Sequence, residues 1–505
     1  MGSTSTKENI KSKRPKFYIT TAIPYMNAKL HLGQVYEFIL ADVVARYHRL
    51  LGYDVFFLTG SDEHGAKIYK TACEKGISQQ EYVDTMVNDM KRILKLYSIS
   101  NNAFIRTTDP EHEKIVQNIY KKINENGDVY KSVYEGWYCV PCETFFMDNQ
   151  LIEKKCPQCN RDVEWIKEDN YFFRLSKYED ALIKHIEANP NFVIPQTRKN
   201  EVLGLLKQGL KDFSISRTTV KWGVKIPFDS NHYSYVWIDA LINYISALGY
   251  SSENDSLYLK YWPADQHHIG KDILKFHTII WPALLMALGV PLPKHVIIHG
   301  WIMKGEEKLS KSKGITLDPD EMSEEYGTDA IRYFFTREIS FGLDGSFTSQ
   351  AMQKRYNAEL SNDYGNLVSR TLAMIEKYRK GIVPYRTEGD KNLKNQWEIT
   401  RSNAVKAIKD LDYSGCLVSI WEFINMANKY IEDSKPWEIA KSSKDNDIKN
   451  LDNILYSLVE SIRLVTILIF PFMPRICQKI FTQLGIDILL EEVTLEEYGN
   501  WGSFE

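Results

Sequence analysis

The chain has 505 residues, 44% of them hydrophobic, enough for about two to four domains with cores of their own, which excludes global disorder and small disulfide scaffolds. Its formal net charge of -3 exerts no general attraction on a polyanion, so any nucleic-acid contact must come from local basic or aromatic patches. The longest strongly apolar run, Leu464 to Met473, falls short of the roughly 18 residues that span a bilayer. It contains Pro471 between Arg463 and Arg475, reads as a buried helix end, and leads us to expect no membrane.

The opening "MGSTSTKENIKSKRPK" is polar and basic without an apolar segment, so residues 1–15 are expected to be a disordered tail and the location cytoplasmic. "KFYITTAI" (16–23) reads as a buried strand. "QVYEFILADVVARYHRLLG" (34–52) then places Val35, Phe38, Ile39, Val43, Val44 and Tyr47 on one helical stripe that stops at Gly52. "YDVFFLTG" supplies a second strand, and strand, crossover helix and strand imply a parallel sheet with a ligand crevice at the carboxyl ends of its strands. The linking stretch "TAIPYMNAKLHLGQVYEF" lies in that crevice, with His31 where the helix starts.

Between about 116 and 225 the βα alternation is lost around "CVPC" (Cys139, Cys142) and "CPQC" (Cys156, Cys159). The spacing C-x2-C-x13-C-x2-C brings four thiolates together through two tight knuckles, as a closed structural Zn²⁺ site requires, and leaves no open position for catalysis. Cys73, Cys416 and Cys477 stand alone and read as ordinary buried thiols. Alternation resumes in "YSYVWIDALINYISALG" (233–249), "HHIGKDILKFHTIIWPALLMALG" (267–289) and the strand "HVIIHGWI" (295–302). From about 361 to the end the pattern is helical, broken by polar loops at 385–395 and 441–450. The expected fold is therefore α/β: a Rossmann-type parallel sheet (16–115 and 226–300) split by a zinc-bearing insertion (116–225), then a loop-bearing region (301–360) and an α-helical bundle (361–505).

Two segments carry chemistry. A helix start at the edge of a parallel sheet offers free N–H groups and a positive dipole end to phosphate, with Gly33 permitting close approach and His31 and Gln34 able to donate. By itself "HLGQ" is a weak signal, since a His near a helix start is more often a capped surface residue. "EEKLSKSKG" (306–314) is a cationic loop whose Lys308 and Lys311 can close over a triphosphate and neutralise a leaving pyrophosphate, although a Lys/Ser loop also occurs as a solvated turn. The pairing of the two, one after the first strand and one after the last, makes the case.

With these motifs the chain resembles the class I aminoacyl-tRNA synthetases, whose two signatures stand here as "HLGQ" and "KLSKS". From about residue 16 it is more closely similar to the methionyl-tRNA synthetases. "TAIPYMNAKLHLG", "TGSDEHG", the four-Cys insertion, "YVWIDALINY", "GKDILKFHTIIWPA", "NLVSR" and "SKPWEIA" carry that likeness. The resemblance implies a methionine pocket of Ala22, Ile23, Tyr25, Trp237, Ala240, Leu241, Tyr244, Ile273, His277 and Trp281, with Asp62 opposite the ammonium group. It implies an ATP site of His31, Gly33, Gln34, Gly270, Asp272, Lys308 and Lys311, in which His31, Gln34, Lys308 and Lys311 are catalytic and Mg²⁺ accompanies the ATP. It implies anticodon contacts by Asn366, Arg370 and Trp437, and tRNA(Met), ATP and L-methionine as partners; with no C-terminal module after the helical domain, a monomer is expected. Aromatic walls suit the soft thioether, and one or two hydroxyl or imidazole donors can address the sulfur. Gln34 stands where the family usually has His, so its phosphate contact is a neutral hydrogen bond, while Leu309 for Met conserves volume. The rivals are the isoleucyl, leucyl and valyl enzymes, which carry a much longer editing insertion, and an inactive synthetase-like RNA-binding protein, against which the intact His31, Lys308, Lys311, Asp62 and Asp272 argue.

Overall fold

The structure is a computed structural model that describes residues 14–140, 144–146, 148–157, 160–304, 307–308, 317–385 and 387–502. Six strands, β1 (Lys16–Thr21), β2 (Asp54–Ser61), β3 (Ala103–Arg106), β4 (Val193–Ile194), β5 (Gln266–Gly270) and β6 (His295–His299), form one parallel sheet in the order β3-β2-β1-β5-β6-β4. Five of the six residues of β1 are buried, as befits a central parallel strand covered on both faces. The strand order reverses between β1 and β5, and such a switch point opens a crevice at the carboxyl ends. Helix α1 (Leu32–Leu50) makes the crossover from β1 to β2 and ends at Gly52 in the left-handed region (φ 84°).

Strand β4 lies inside the stretch read from sequence as an insertion. It pairs Val193 with Val296, so the 116–225 segment returns to the main sheet before leaving it again. Helix α2 (Pro110–Glu125) spans the expected boundary at 115–116, with Ile115, Val116, Ile119 and Ile123 in the core beneath the sheet. What projects is an antiparallel ribbon of Val129–Cys139 against Glu164–Phe173, in register from Val129↔Phe173 to Tyr138↔Glu164. At its tip Cys139, Phe146 and Cys156 form a small cluster of their own, with Trp137, Leu151 and Val163 around it. Cys142 and Cys159 lie outside the described residues.

Strands β5 and β6 follow α3 (Val236–Ser246). Between β5 and the helix Trp281–Leu288 the chain makes a short 3-10 turn, Lys271–Ile273, and a π turn, Phe276–Ile280, where the sequence suggested a plain strand and helix. Past β6, Ile302–Lys304 pairs antiparallel with Glu307–Lys308 and parallel with Gly345–Phe347.

Helix α4 (Thr328–Glu338) precedes a bundle of α5 (Asn366–Arg379), α6 (Lys391–Lys409), α7 (Tyr413–Ser434), α8 (Asp445–Ile469) and α9 (Pro474–Gln483). The polar loops are shorter than expected: α6 starts within 385–395, where Asp390 accepts from the N–H groups of Asn392 and Leu393, and α8 starts within 441–450. The bundle encloses the outer side of α1. Tyr47 donates to the carbonyl of Leu468 (3.0 Å) and Tyr413 to that of Leu40 (3.3 Å). Between them the fully buried Arg332 donates to Asp42 Oδ2 (2.6 Å) and to the carbonyls of Pro471 (2.6 Å), Phe472 (2.9 Å) and Tyr97 (3.0 Å). Asp42 also accepts from Arg46 Nε (2.9 Å) and from the N–H of Ser100 (2.7 Å). Burial works against its charge, but the two guanidinium groups and the Ser100 hydrogen bonds hold the carboxyl at about 2. Among the described residues no helix is long and apolar enough to cross a membrane.

Candidate active site

His31 is the N-cap of α1, in extended backbone with φ -115° and ψ 164°. Its Nδ1 accepts from the Gln34 N–H (3.3 Å), and Gln34 Oε1 accepts from the His31 N–H (3.2 Å), a reciprocal capping box. The capped-helix reading and the phosphate-site reading of "HLGQ" are thus compatible. Only one ring nitrogen is used in the cap, and the helix terminus faces the switch-point crevice. There the Leu32 N–H donates to the carbonyl of Leu317 (3.1 Å), so the chain leaving the second signature segment is tied to the first turn of α1. Lys308 sits on the return strand of the 302–308 hairpin, and Lys311 and Leu309 lie outside the described residues. Gly33, in the same first turn, is half-buried.

The chain between β1 and α1 is pinned across the sheet edge. The Ala22 N–H is shared by His268 O (3.0 Å) and Glu37 Oε1 (2.8 Å); the Met26 N–H donates to Asp62 O (2.9 Å) and the Asp62 N–H to Pro24 O (3.0 Å). These bonds hold Ala22, Ile23 and Tyr25 beside Asp62, whose side chain is buried just past the end of β2.

Helix α3 delivers Trp237, Ala240, Leu241 and Tyr244, and the turn after β5 delivers Ile273, His277 and Trp281. The Trp237 indole stacks on Phe276 at 3.8 Å between ring centroids, and Tyr244 lies 5.9 Å from Trp281. Trp281 is fully buried and Leu241 nearly so, both within the hydrophobic core, whereas Trp237 is half-buried. His277 Nδ1 lies 3.0 Å from the carbonyl of Ile273 and therefore carries the hydrogen; its Nε2 accepts from the Tyr244 hydroxyl at 2.7 Å. Burial lowers His277 to about 4, so it is neutral near pH 7. Both donors expected to address a sulfur are therefore bonded to each other or to the backbone.

Gly270 closes β5 against Asp272. A Cβ there would come within 2.8 Å of Asp272 Oδ1, so a side chain at that position would displace the carboxylate. Sequence reasoning missed a pair in the same place. Glu37 Oε2 is 2.9 Å from His299 Nε2, both side chains being almost wholly buried. For Glu37, burial raises the carboxyl more than the His299 and Ala22 hydrogen bonds lower it; for His299, burial opposes the charge, but the hydrogen bond and charge of Glu37 raise it. Both groups therefore stand above their ordinary values. An acid inside the apolar run "VYEFIL" was the available signal.

In the bundle, Asn366 and Arg370 occupy the first two turns of α5, Asn366 exposed and Arg370 paired with Glu432 Oε1 at 2.6 Å. Glu432 stands five residues before Trp437, which sits half-buried in the short helix Pro436–Ile439, so the three lie toward one end of the bundle.

A family model described as "tRNA synthetases class I (M)" matches residues 17–165 and 161–372, and "Anticodon-binding domain of tRNA ligase" matches 390–502. The chain is 52% identical over 473 residues to the methionine--tRNA ligase of Caldanaerobacter subterraneus subsp. tengcongensis, covering 93% of this chain and 74% of that one. It is 47% identical to the Thermotoga maritima enzyme of the same name, covering 96% and 77%. Among solved structures, Mycobacterium tuberculosis methionyl-tRNA synthetase in complex with methionyl-adenylate matches with a TM-score of 0.88 at 39% identity, covering 92% of this chain and 93% of that one.

Proposed function

The chain belongs to the methionyl-tRNA synthetases of class I, and from that premise we infer that its crevice joins L-methionine to ATP and passes the methionyl group to tRNA(Met). The observation that supports this reading is the Leu32–Leu317 hydrogen bond, which holds the chain just after the second signature segment against the first turn of α1. In the first step a methionine carboxylate oxygen attacks the α-phosphorus, the bond to the β-phosphate oxygen breaks, and pyrophosphate leaves. In the second, a ribose hydroxyl of the terminal adenosine attacks the acyl carbon and AMP leaves. Neither step needs a covalent enzyme intermediate, so the protein's contribution is positioning and charge stabilisation.

In this reading Asp62 faces the ammonium group and the side chain runs toward Tyr25, Trp237 and the Tyr244–His277 pair. His31, Gln34 and the α1 terminus address the phosphates, together with Lys308 and Lys311, and Gly270 and Asp272 meet the ribose. Mg²⁺ bound with ATP supplies further charge on the phosphates. Catalysis belongs to 16–115 and 226–300, the 301–360 region carries the loop, and 361–505 reads the anticodon through Asn366, Arg370 and Trp437 in a monomer. Cys139 and Cys156, buried in a cluster separate from the main cores, fit a structural Zn²⁺ that Cys142 and Cys159 would complete. Among the described residues, which omit those two, no group of three potential ligands gathers. The tRNA-independent exchange of pyrophosphate into ATP tests the reading: we expect it to require methionine. Exchange driven by isoleucine, leucine or valine instead, or none at all, would overturn it.

A further inference from the structure

Two residues past Asp62, and on the far side of the pocket helix from the proposed substrate, lies a buried cluster that the reaction above does not use. Asp239, between Trp237 and Ala240 on α3, is 1% exposed. Its Oδ2 accepts from His64 Nδ1 at 2.6 Å and its Oδ1 from His112 Nε2 at 2.9 Å. His112, in the first turn of α2, reaches Ser246 Oγ with its other nitrogen at 2.7 Å, gripping α3 a second time near its end. His64 Nε2 lies 3.6 Å from Glu113 Oε1, and its ring meets Trp222 edge-on at 5.4 Å. The Trp222 indole in turn donates to the carbonyl of Glu63 at 2.6 Å.

Desolvating a carboxylate costs several kcal/mol, which its partners must offset. Burial opposes the charge of Asp239, yet the charge of His64 and the two imidazole hydrogen bonds hold the carboxyl at about 2. Apolar packing of α3 on α2 would need no such group. What the cluster adds is direction: a carboxylate clasped by two rings has one orientation and one distance from each. The elements so fixed are those proposed to hold opposite ends of one small molecule.

We propose that the His64–Asp239–His112 cluster is a positioning device for methionine, setting the separation between the Asp62 loop and the α3 pocket wall so that the ammonium group and the thioether are held in one register. This rests on the methionine-site reading given above. A misplacement of about 1 Å between such elements is enough to cost on the order of 10²-fold in a positioned reaction.

The test is methionine-dependent pyrophosphate exchange with the full chain, measuring both KM values, kcat and thermal midpoint. Asp239→Asn and His64→Ala are each expected to raise the methionine KM about ten-fold, the scale of one charge-assisted hydrogen bond, with the ATP KM within about two-fold of wild type. His64→Asn, whose amide nitrogen falls near the place of the imidazole Nδ1, restores most of the loss. In an Asp62→Ala background the Asp239→Asn effect on methionine KM largely disappears, because one end of the register is already gone. An unchanged methionine KM in Asp239→Asn, equal losses toward ATP and methionine that follow the thermal midpoint, or full additivity with Asp62→Ala overturns the proposal. An Asp62→Ala variant with normal methionine KM refutes the underlying site reading instead.

Discussion

The capping role of His31 and the phosphate role proposed for it can be separated by substitution. Nδ1 caps α1 through the Gln34 N–H at 3.3 Å. His31→Ala removes both. Loss of an N-cap costs about 1 kcal/mol, which in a unit of this size lowers the thermal midpoint by about 2 to 4 °C. Loss of a donor to charge that develops in the transition state costs about 10²-fold in kcat, or roughly 2.7 kcal/mol. Asparagine is among the best N-caps, but its side chain ends where the imidazole Nδ1 does. His31→Asn should therefore keep the wild-type midpoint and still lose about 10²-fold in exchange kcat, with methionine affinity measured without ATP unchanged. Scanning calorimetry beside the exchange assay reads both. Near-wild-type exchange in His31→Asn, with a slow His31→Ala, would mean that the residue is only a cap and that the phosphate assignment is wrong.

Tyr244→Phe leaves His277 Nε2 a buried acceptor without its donor, a cost of about 1 to 3 kcal/mol that should appear as a lower midpoint and a methionine KM raised about ten-fold; an unchanged KM would place the pair outside the substrate wall. Asp42 is depressed to about 2, so its ionised form stabilises the fold fully above about pH 4 and that stability is lost as pH falls through about 2. About 2 kcal/mol should go over that window in the wild type and be missing from the pH dependence of Asp42→Asn, read from thermal midpoints across the range; identical profiles would contradict the buried ion network. Metal analysis should find about one zinc per chain; Cys142→Ser should lose it and loosen the ribbon tip while methionine still binds, and normal charging by a fully folded zinc-free protein would refute the structural site. Trp437→Ala should lower aminoacylation efficiency about ten- to a hundred-fold and leave tRNA-independent exchange unchanged; a joint fall of exchange, charging and stability would show that the indole only packs the bundle.

The β1–α1–β2 unit and the position of His31 could be read because they are local, with strand, helix and cap all lying between residues 16 and 61. The outer side of α1 could not. One apolar stripe was visible, yet 14 of the helix's 19 residues are buried, including Asp42 and Arg46, because Arg332, 290 positions later, and bundle residues 373 to 421 positions later close over the other side. Charges that look like a solvent face in sequence become buried partners only when Arg332 and the 471–472 carbonyls arrive. Glu37 was overlooked for the same reason, since His299 reaches it from 262 residues away. Strand β4 has two residues, too few to show any period, and only its pairing with β6 makes it a strand. Asp390, by contrast, carried a readable capping signal ahead of α6 that the polar composition of 385–395 hid.

Helix α1 begins in the crevice and is held from Leu40 to Tyr47 by α4 and the bundle. At 1.5 Å per residue the ten residues from Asp42 to Leu32 make an arm of about 15 Å. An arm of that length converts angle into displacement: a tilt of about 4° at Asp42 carries the crevice end through about 1 Å. That is roughly the tolerance within which a catalytic group keeps its effect. The clamp at Asp42, Arg332 and Tyr47 therefore behaves as a fulcrum, and its stiffness sets how much of any load on the far side of the bundle arrives at His31 as motion.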